Sequence, residues 1–580
     1  MSNPTYQPAR RGVTVAELLG WIAAVIPGIL CVLAVGMALL PSLFLGMTNY
    51  NVISNMEFVG MANYSRLMQD KVFLIALSNS LVDLLVIGVG GFVLCLLIAL
   101  LLRRLPQVVR YIPVAALFAP LLCPGLVQML NVLFSGDAYG LVNSLLINAE
   151  IIEEPIFFLM SEKYLPIIVR LTQLWRSLGP GVLIISAGLD SVRPATLSEA
   201  GRRGMTSHFS VFLQITLPRM RVPLMLAAAT MVMAAMGTST VSKGLAGTSS
   251  VGYCAHTLWV HVWNYGFVRF NLGYGAAITT VTQAIEILTI LLLCAMIFLL
   301  TWRPCRARYA KFPAPPVLPG LSDKWDTWRI LWTVAGAVVT LLICVVPVFM
   351  LTMEFNMSLK PRDELFAYPP RLLVQEPTLS NFEDLFVTIG DSSVSLFLQI
   401  PRALLFMMLP MLLTTVIAAV VGYGLSRRRS RPVRVLLAAI LLLLLISSPF
   451  MGLLHTWYSR ERIPTVGDAL RWVLWAFMPV CAMLGLSVGE MCRRKWPVLR
   501  VLAVAAAYVS LVLFFCWQGT MGEIANQIGA GGIARSGQTA AAFVIQDMAG
   551  LLLGIPIIAG LFQMLIGLGN TYPLYRGGNE

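Results

Sequence analysis

Charge is scarce in this sequence. Only 12% of its 580 residues are charged, about half the fraction usual in a soluble domain, so a predominantly water-exposed globular protein is excluded. Histidine occurs four times. His256 and His261 stand five apart, not at the i, i+4 spacing that sets two ligands on one helix face, and no zinc site is expected there. The ten cysteines contain no C-x-x-C pair, which removes the common redox and zinc motifs. Cys31, Cys95, Cys123, Cys294, Cys344, Cys481 and Cys516 fall within or at the edges of apolar runs, where a free cysteine acts as a small hydrophobe. Also missing is any G-x-x-x-x-G-K-[ST] segment, or even one Gly-Lys pair. The chain therefore lacks a phosphate-cradling loop of that type.

What is abundant is apolar surface. The composition is 58% hydrophobic and the mean hydropathy is +0.81, which places the chain in a bilayer. Runs of roughly 20 apolar residues, the length that crosses hydrocarbon as a helix, occur at about 17–45, 76–102, 109–135, 165–188, 221–242, 274–301, 328–353, 398–425, 434–455, 470–489, 498–517 and 546–569. The expected fold is an all-α polytopic membrane protein of about 12 transmembrane helices. The first run follows Arg10 and Arg11 as a signal peptide would, but it is much longer than the ~7–15 residues of a signal core and no small-x-small cleavage site follows. It reads as a span.

Basic residues orient the spans. With a cytoplasmic amino terminus, the cytoplasmic segments collect 26 of the 41 lysines and arginines, among them Arg103, Arg104, Arg110, Arg219, Arg221, the run Arg427–Arg429 and the cluster Arg493, Arg494, Lys495. The opposite loops hold 11 and most of the acids. By the positive-inside rule both termini are expected in the cytoplasm. The formal charge of +14 is accounted for by basic residues beside spans, where anionic lipid favours them, and needs no nucleic acid.

A few ionisable residues lie inside the spans. Asp83, Glu286 and Arg170 are candidates for a polar translocation path, since such groups face a cavity or a partner; snorkelling or a structural pair is the plainer reading, and more so for Arg176. Trp259, Trp263, Asn264 and Tyr265 supply the aromatic and hydrogen-bonding groups a sugar site wants, or form an interfacial belt.

The chain also repeats itself. "FVGMANYSRL" (Phe58–Leu67) follows the first span and "EPTLSNFEDL" (Glu376–Leu385) the seventh; Asn-aromatic-x-x-Leu recurs in both, each in an outward loop before a span of similar length. Two homologous six-helix halves are expected, 1–310 and 328–580. A proline-rich, basic cytoplasmic linker at 311–327 would join them.

One polar interruption stands apart. Between the fourth and fifth spans, on the expected cytoplasmic side, lies "LSEAGRRGMTSHFSVFLQITLP" (Leu197–Pro218). Thr196-x-x-Glu199 reads as a capping box after Pro194, and Ser207 can cap a second short helix with Phe209, Phe212 and Leu213 on one face. A compact helix-turn-helix projection over 194–218 is expected.

This passage resembles the "EAA" loop of permease subunits of binding-protein-dependent ABC importers, in which E-A-A is followed by glycine six residues after the glutamate and then by I-x-L-P. Glu199, Ala200, Ile215, Leu217 and Pro218 match at the family spacing. Gly201 replaces the second alanine, Met205 occupies the glycine position and Gly204 lies one place early. The resemblance extends to "LFLGMTNYNVISNMEFVGMANYSRL", similar to the start of the first permease subunit of the maltose and glycerol-phosphate type, and to "MSLKPRDELFAYPPRLLVQEPTLSNFEDLF" and "GYGLSRRRSRP", similar to its partner subunit. The chain thus resembles both permease subunits fused, with a type I importer fold.

The resemblance implies an import channel in the cytoplasmic (inner) membrane, not an enzyme. Its loop residues Glu199, Ala200, Gly201, Gly204, Met205, Phe209, Phe212, Ile215, Leu217 and Pro218 would dock on an ATPase. Two ABC ATPase subunits would use ATP and Mg, an extracytoplasmic solute-binding protein would deliver a carbohydrate-type substrate, and the chain itself would bind no cofactor. The second half departs from the pattern: where its loop should be stands only "GEMCRRKWPVLRV" (Gly489–Val501), too short for two helices. An asymmetric transporter with one coupling helix is expected. An ion-coupled secondary transporter, or a degenerate membrane scaffold without transport, are the alternatives.

Overall fold

The computed structural model describes residues 42–51, 56–103, 105–137, 140–202, 211–247, 249–301, 327–365, 373–387, 498–529 and 536–571. All belong to one compact unit, Ser42–Met408 with Val498–Glu580. The runs at about 398–425, 434–455 and 470–489, most of that at about 17–45, and all of the linker but Thr327 lie outside the described residues. Those described are helices joined by turns, with one isolated antiparallel bridge between Thr48 and Phe58. Five helices are long and apolar enough to cross a membrane, or six with one bent pair.

In chain order these are α1 (Ala62–Leu67), α2 (Lys71–Leu102), α3 (Gln107–Leu122), α4 (Pro124–Leu133), α5 (Leu141–Asn148), α6 (Leu165–Arg202), α7 (Arg221–Ala246), α8 (Leu258–Trp263), α9 (Leu272–Thr301), α10 (Thr327–Ser358), α11 (Ser380–Val387), α12 (Val498–Gly529) and α13 (Ser536–Thr571). Helix α2 starts where Asp70 accepts the backbone N–H groups of Val72 at 2.9 Å and Phe73 at 3.2 Å, satisfying two orphan donors of the first turn. Its Phe73, Ala76, Ser80, Asp83 and Ile87 are buried, whereas Leu74, Leu81, Leu85 and Leu97 are exposed and in a bilayer meet lipid. Residues Leu84–Gly90 are π-helical, directly after the buried Asp83.

Helices α2, α6 and α7 pack together, and small residues let them approach. A Cβ on Gly91 would overlap Met231 of α7 and lie 2.9 Å from Leu174 of α6, the close contact that drives helix association where lipid is as apolar as leucine. Helices α3 and α4 form one broken span bent by 74°. The break follows from "LCPG": Cys123 is held extended (φ −120°, ψ 86°) ahead of Pro124, as a pre-proline residue prefers, and Pro124 opens α4 without needing a backbone donor. Helices α10 and α13 pack on this broken span, and α13 also on α6 and α12.

Both copies of the sequence repeat do the same structural work. Asn63 donates its amide to the carbonyls of Gly46 at 3.0 Å and Thr48 at 2.7 Å, and Asn381 donates to those of Ser358 at 3.0 Å and Lys360 at 2.9 Å. Each asparagine bridges the last carbonyl of the helix before it and one two residues further on, the helices being the short one over 42–46 and α10, where the last turn leaves acceptors unsatisfied. The leucine four residues on is buried in each, Leu67 and Leu385.

Candidate functional site

Alternating directions bring four helix ends together with the middle of α6 at one end of the bundle: the end of α2, the start of α3, the start of α7 and the end of α9 meet α6 around Gly188 and Asp190. The contacts there are ionic and close. Arg110 of α3 donates to both carboxylate oxygens of Asp190 in α6, at 3.0 and 2.9 Å, a pair that is largely buried. Arg221, at the start of α7, donates to the hydroxyl of Thr301 at 2.8 Å and to its carbonyl at 2.6 Å, meeting the orphan acceptor at the end of α9, and its guanidinium lies 4.9 Å from the Phe298 ring centroid. Gly188 fits against Pro223, which a Cβ would approach to 2.7 Å.

The polar segment 194–218 grows from this junction, and its first part differs from the expected helix start. Helix α6 continues without interruption through Pro194 to Arg202, so Thr196-x-x-Glu199 lies within a helix and Glu199, Ala200 and Gly201 prolong α6. The long helix upstream has already overcome nucleation, and Pro194 removes one internal bond rather than ending the helix. At ~1.5 Å per residue a helix of this length runs ~57 Å, although α6 is not among the helices apolar enough to count as membrane-crossing. Gly204, Met205 and Phe209 lie outside the described residues. From Val211 the chain is helical again, π-helical over Phe212–Thr216, and turns at Met220 into α7. Ile215, Pro218 and Met220 are buried while Phe212 and Leu217 are half-buried, so the I-x-L-P stretch roots the segment in the bundle.

Of the intramembrane candidates, two are brought together. Arg170 Nε donates to Asp83 Oδ1 at 2.8 Å, with the carboxylate almost wholly buried. Glu286 is buried in α9 with Oε2 unpaired, and no hydrogen bond or ion pair joins it to Asp83 or Arg170 among the described residues. Trp259 is buried inside the protein, not at the lipid interface as a belt residue would be, because α8 is a short helix packed between α2, α7 and α9. Trp263 stacks under the Lys243 ammonium, 4.0 Å from its ring centroid.

Two further clusters escaped the sequence reading. At the end of the bundle opposite the 194–218 segment, the Asp70 carboxylate accepts the hydroxyls of Tyr274 at 2.9 Å and Tyr265 at 3.3 Å and lies 3.5 Å from His261 Nε2. His261 Nδ1 is 3.0 Å from His256 Nε2. Burial pushes both imidazoles down to about 4, helped at His256 by neighbouring His261. Burial alone would raise the Asp70 carboxyl, but its hydrogen bond from Tyr274, those from the backbone, and His261 together hold it below the ordinary carboxylate range. The second cluster is Glu354 with Asp547, at the break between α3 and α4. Asp547 was legible in principle, an acid one residue inside an expected span; Glu354 follows the expected end of another by one residue.

The fold and these sites define a polytopic α-helical membrane protein. Its similarities are to transporter subunits. It is 24% identical over 268 residues to a probable ABC transporter permease protein of Pyrococcus horikoshii, covering 43% of this chain and 85% of that protein. It is 26% identical over 231 residues to the sulfoquinovosyl glycerol transport system permease protein SmoG of Agrobacterium fabrum, covering 40% of this chain and 73% of that protein. A solved bacterial ABC transporter involved in the import of the acidic polysaccharide alginate matches with a TM-score of 0.36 and 18% identity, over 44% of this chain and 88% of that one. No family model matches the chain.

Proposed function

We propose that this protein is the membrane-spanning permease of an ABC importer for sugars or related polyols, with two permease halves in one chain, 1–310 and 328–580. It lies in the cytoplasmic membrane with both termini in the cytoplasm. The segment 194–218 is its ATPase-coupling loop: Glu199 and Ala200 at the end of the protruding α6 meet a separate ATPase that supplies ATP and Mg, and an extracytoplasmic solute-binding protein delivers the substrate. The observation that carries this reading is the segment's construction. A helix longer than the bilayer is thick carries the Glu-Ala pair outward, and the returning Ile215-x-Leu217-Pro218 is rooted among ionic clamps that can pass a push on the loop to α3, α7 and α9. The low-identity similarity to permeases, sugar-related in one case, supports the same class, and the matching asparagine bridges of Asn63 and Asn381 support duplication of the halves. Asp83 and Arg170 neutralise one another and hold α2 to α6, which leaves Glu286 as the ionisable group of the proposed polar path.

The test is deletion of 197–215 in the otherwise intact chain, followed by co-purification with the ATPase. The reading requires binding to be lost or greatly reduced while the variant still inserts in the membrane. Undiminished ATPase capture by an inserted deletion variant refutes the assignment.

A further inference from the structure

The broken span α3–α4 ends in an unusual arrangement. The N–H groups of Gly125 and Leu126, in the first turn of α4, donate to Oδ1 and Oδ2 of Asp547, each at 3.2 Å. A carboxylate is the natural occupant of a helix amino terminus, where orphan donors and the helix dipole favour negative charge. A second carboxyl is already there. Glu354 of α10 is 1% exposed and Asp547 of α13 is wholly buried; among the described residues no donor reaches either Glu354 oxygen. A Cβ on Gly125 would lie 2.7 Å from Asp547 Oδ2 and overlap Glu354 Oε1, so both acids converge on one glycine.

Two carboxylates in contact in a low-dielectric interior do not both keep their charge; such a pair shares a proton. Asp547 is the charged member, because it accepts two backbone donors. Glu354 carries the hydrogen, because its oxygens have no donor to accept. No ion pair to lysine, arginine or histidine relieves either acid among the described residues. From α3 the Cys123 thiol faces them, with Sγ 3.6 Å from the Asp547 carbonyl; α10 and α13 present Glu354 and Asp547 to each other; among the described residues α2, α6, α11 and α12 contribute no hydrogen-bonding titratable group to either. We propose that Glu354 and Asp547 form a single-proton binding site that keeps the α3–α4 break closed. When Glu354 gives its proton to water, two facing carboxylates remain beside Gly125. Their repulsion draws Asp547 off the start of α4 and admits water at Cys123. This goes beyond the importer reading and does not depend on ATPase coupling.

The test uses the full-length chain in lipid nanodiscs, labelled with a maleimide and read at Cys123 by peptide mass spectrometry from about pH 6 to about pH 9, a range that spans ordinary thiol ionisation. The reference is Glu354→Gln, which keeps the size of the side chain and does not ionise, so the intrinsic pH dependence of the thiol cancels. The expected wild-type to variant ratio of labelling rates rises with pH, by up to about tenfold per unit, the limiting slope of a one-proton event. A ratio that stays flat across the range overturns the proposal. Infrared difference spectra of the wild type guard against a misfolded variant: a protonated-carboxyl carbonyl band bleaching as pH rises supports the site, and its absence at every pH refutes it.

Discussion

At the scale of single residues, burial decides which ionisable groups matter. Removing one member of a buried ion pair such as Asp83–Arg170 strands the other, at about 3–5 kcal/mol, whereas replacing both with apolar groups is often near neutral; the pair therefore holds α2 to α6 more by the penalty of breaking it than by net attraction. The sequence showed Asp83 and Arg170 as charges in apolar runs, but not their pairing, since their separation of 87 positions is bridged only by tertiary packing. The His256–His261 contact was hidden for a related reason. Their five-residue spacing excludes one helix face, but Thr257 starts α8 between them and the turn swings His256 back onto His261. Both imidazoles titrate near 4 in the folded protein against 6.5 when free. The unfolded chain thus takes up protons below about pH 6.5 while the folded one does not, so their contribution to stability is complete above that value and is lost as pH falls toward 4. Thermal unfolding in detergent is expected to show a midpoint that drops over that window, and a shallower drop in a His256→Gln, His261→Gln double variant. Equal slopes in the two proteins would contradict the assignment.

At the scale of elements, apolar runs made most spans readable because a helix in hydrocarbon must satisfy its own backbone. Helix ends were less legible. Thr196-x-x-Glu199 has the chemistry of a helix start, yet α6 passes through it, because a cap signal acts only where the preceding chain is not already helical. The 74° break at Cys123 lies inside one expected span, where the Cys-Pro-Gly triplet was its only mark. The asparagine repeat was visible as a pattern, but its task, bridging two carbonyls at a helix end, requires coordinates. Asn381→Ala is expected to cost about 1–3 kcal/mol, the range for buried acceptors left without a donor, and Asn63→Ala, whose two bonds are half-buried, a smaller but measurable loss of thermal stability. Asn148→Ala, on an exposed site, is expected to leave stability unchanged. A loss at Asn148 as large as at Asn63 and Asn381 would show that the bridges have no special role.

At the scale of the whole molecule, charge scarcity and hydropathy were enough to read a polytopic helical membrane protein. The packing of α10 and α13 on α3, α4 and α6 was not, since a sequence pattern carries no record of which distant spans meet. In the proposed importer, the coupling segment at 194–218 and the short Gly489–Val501 interval make the two halves unequal partners for the ATPases. The most direct measurement is sugar uptake into proteoliposomes holding this chain, its ATPases and the solute-binding protein. The account predicts uptake with hydrolysable ATP and none with a non-hydrolysable analogue, with or without an imposed ion gradient. Uptake driven by an ion gradient in the absence of ATP hydrolysis would contradict it.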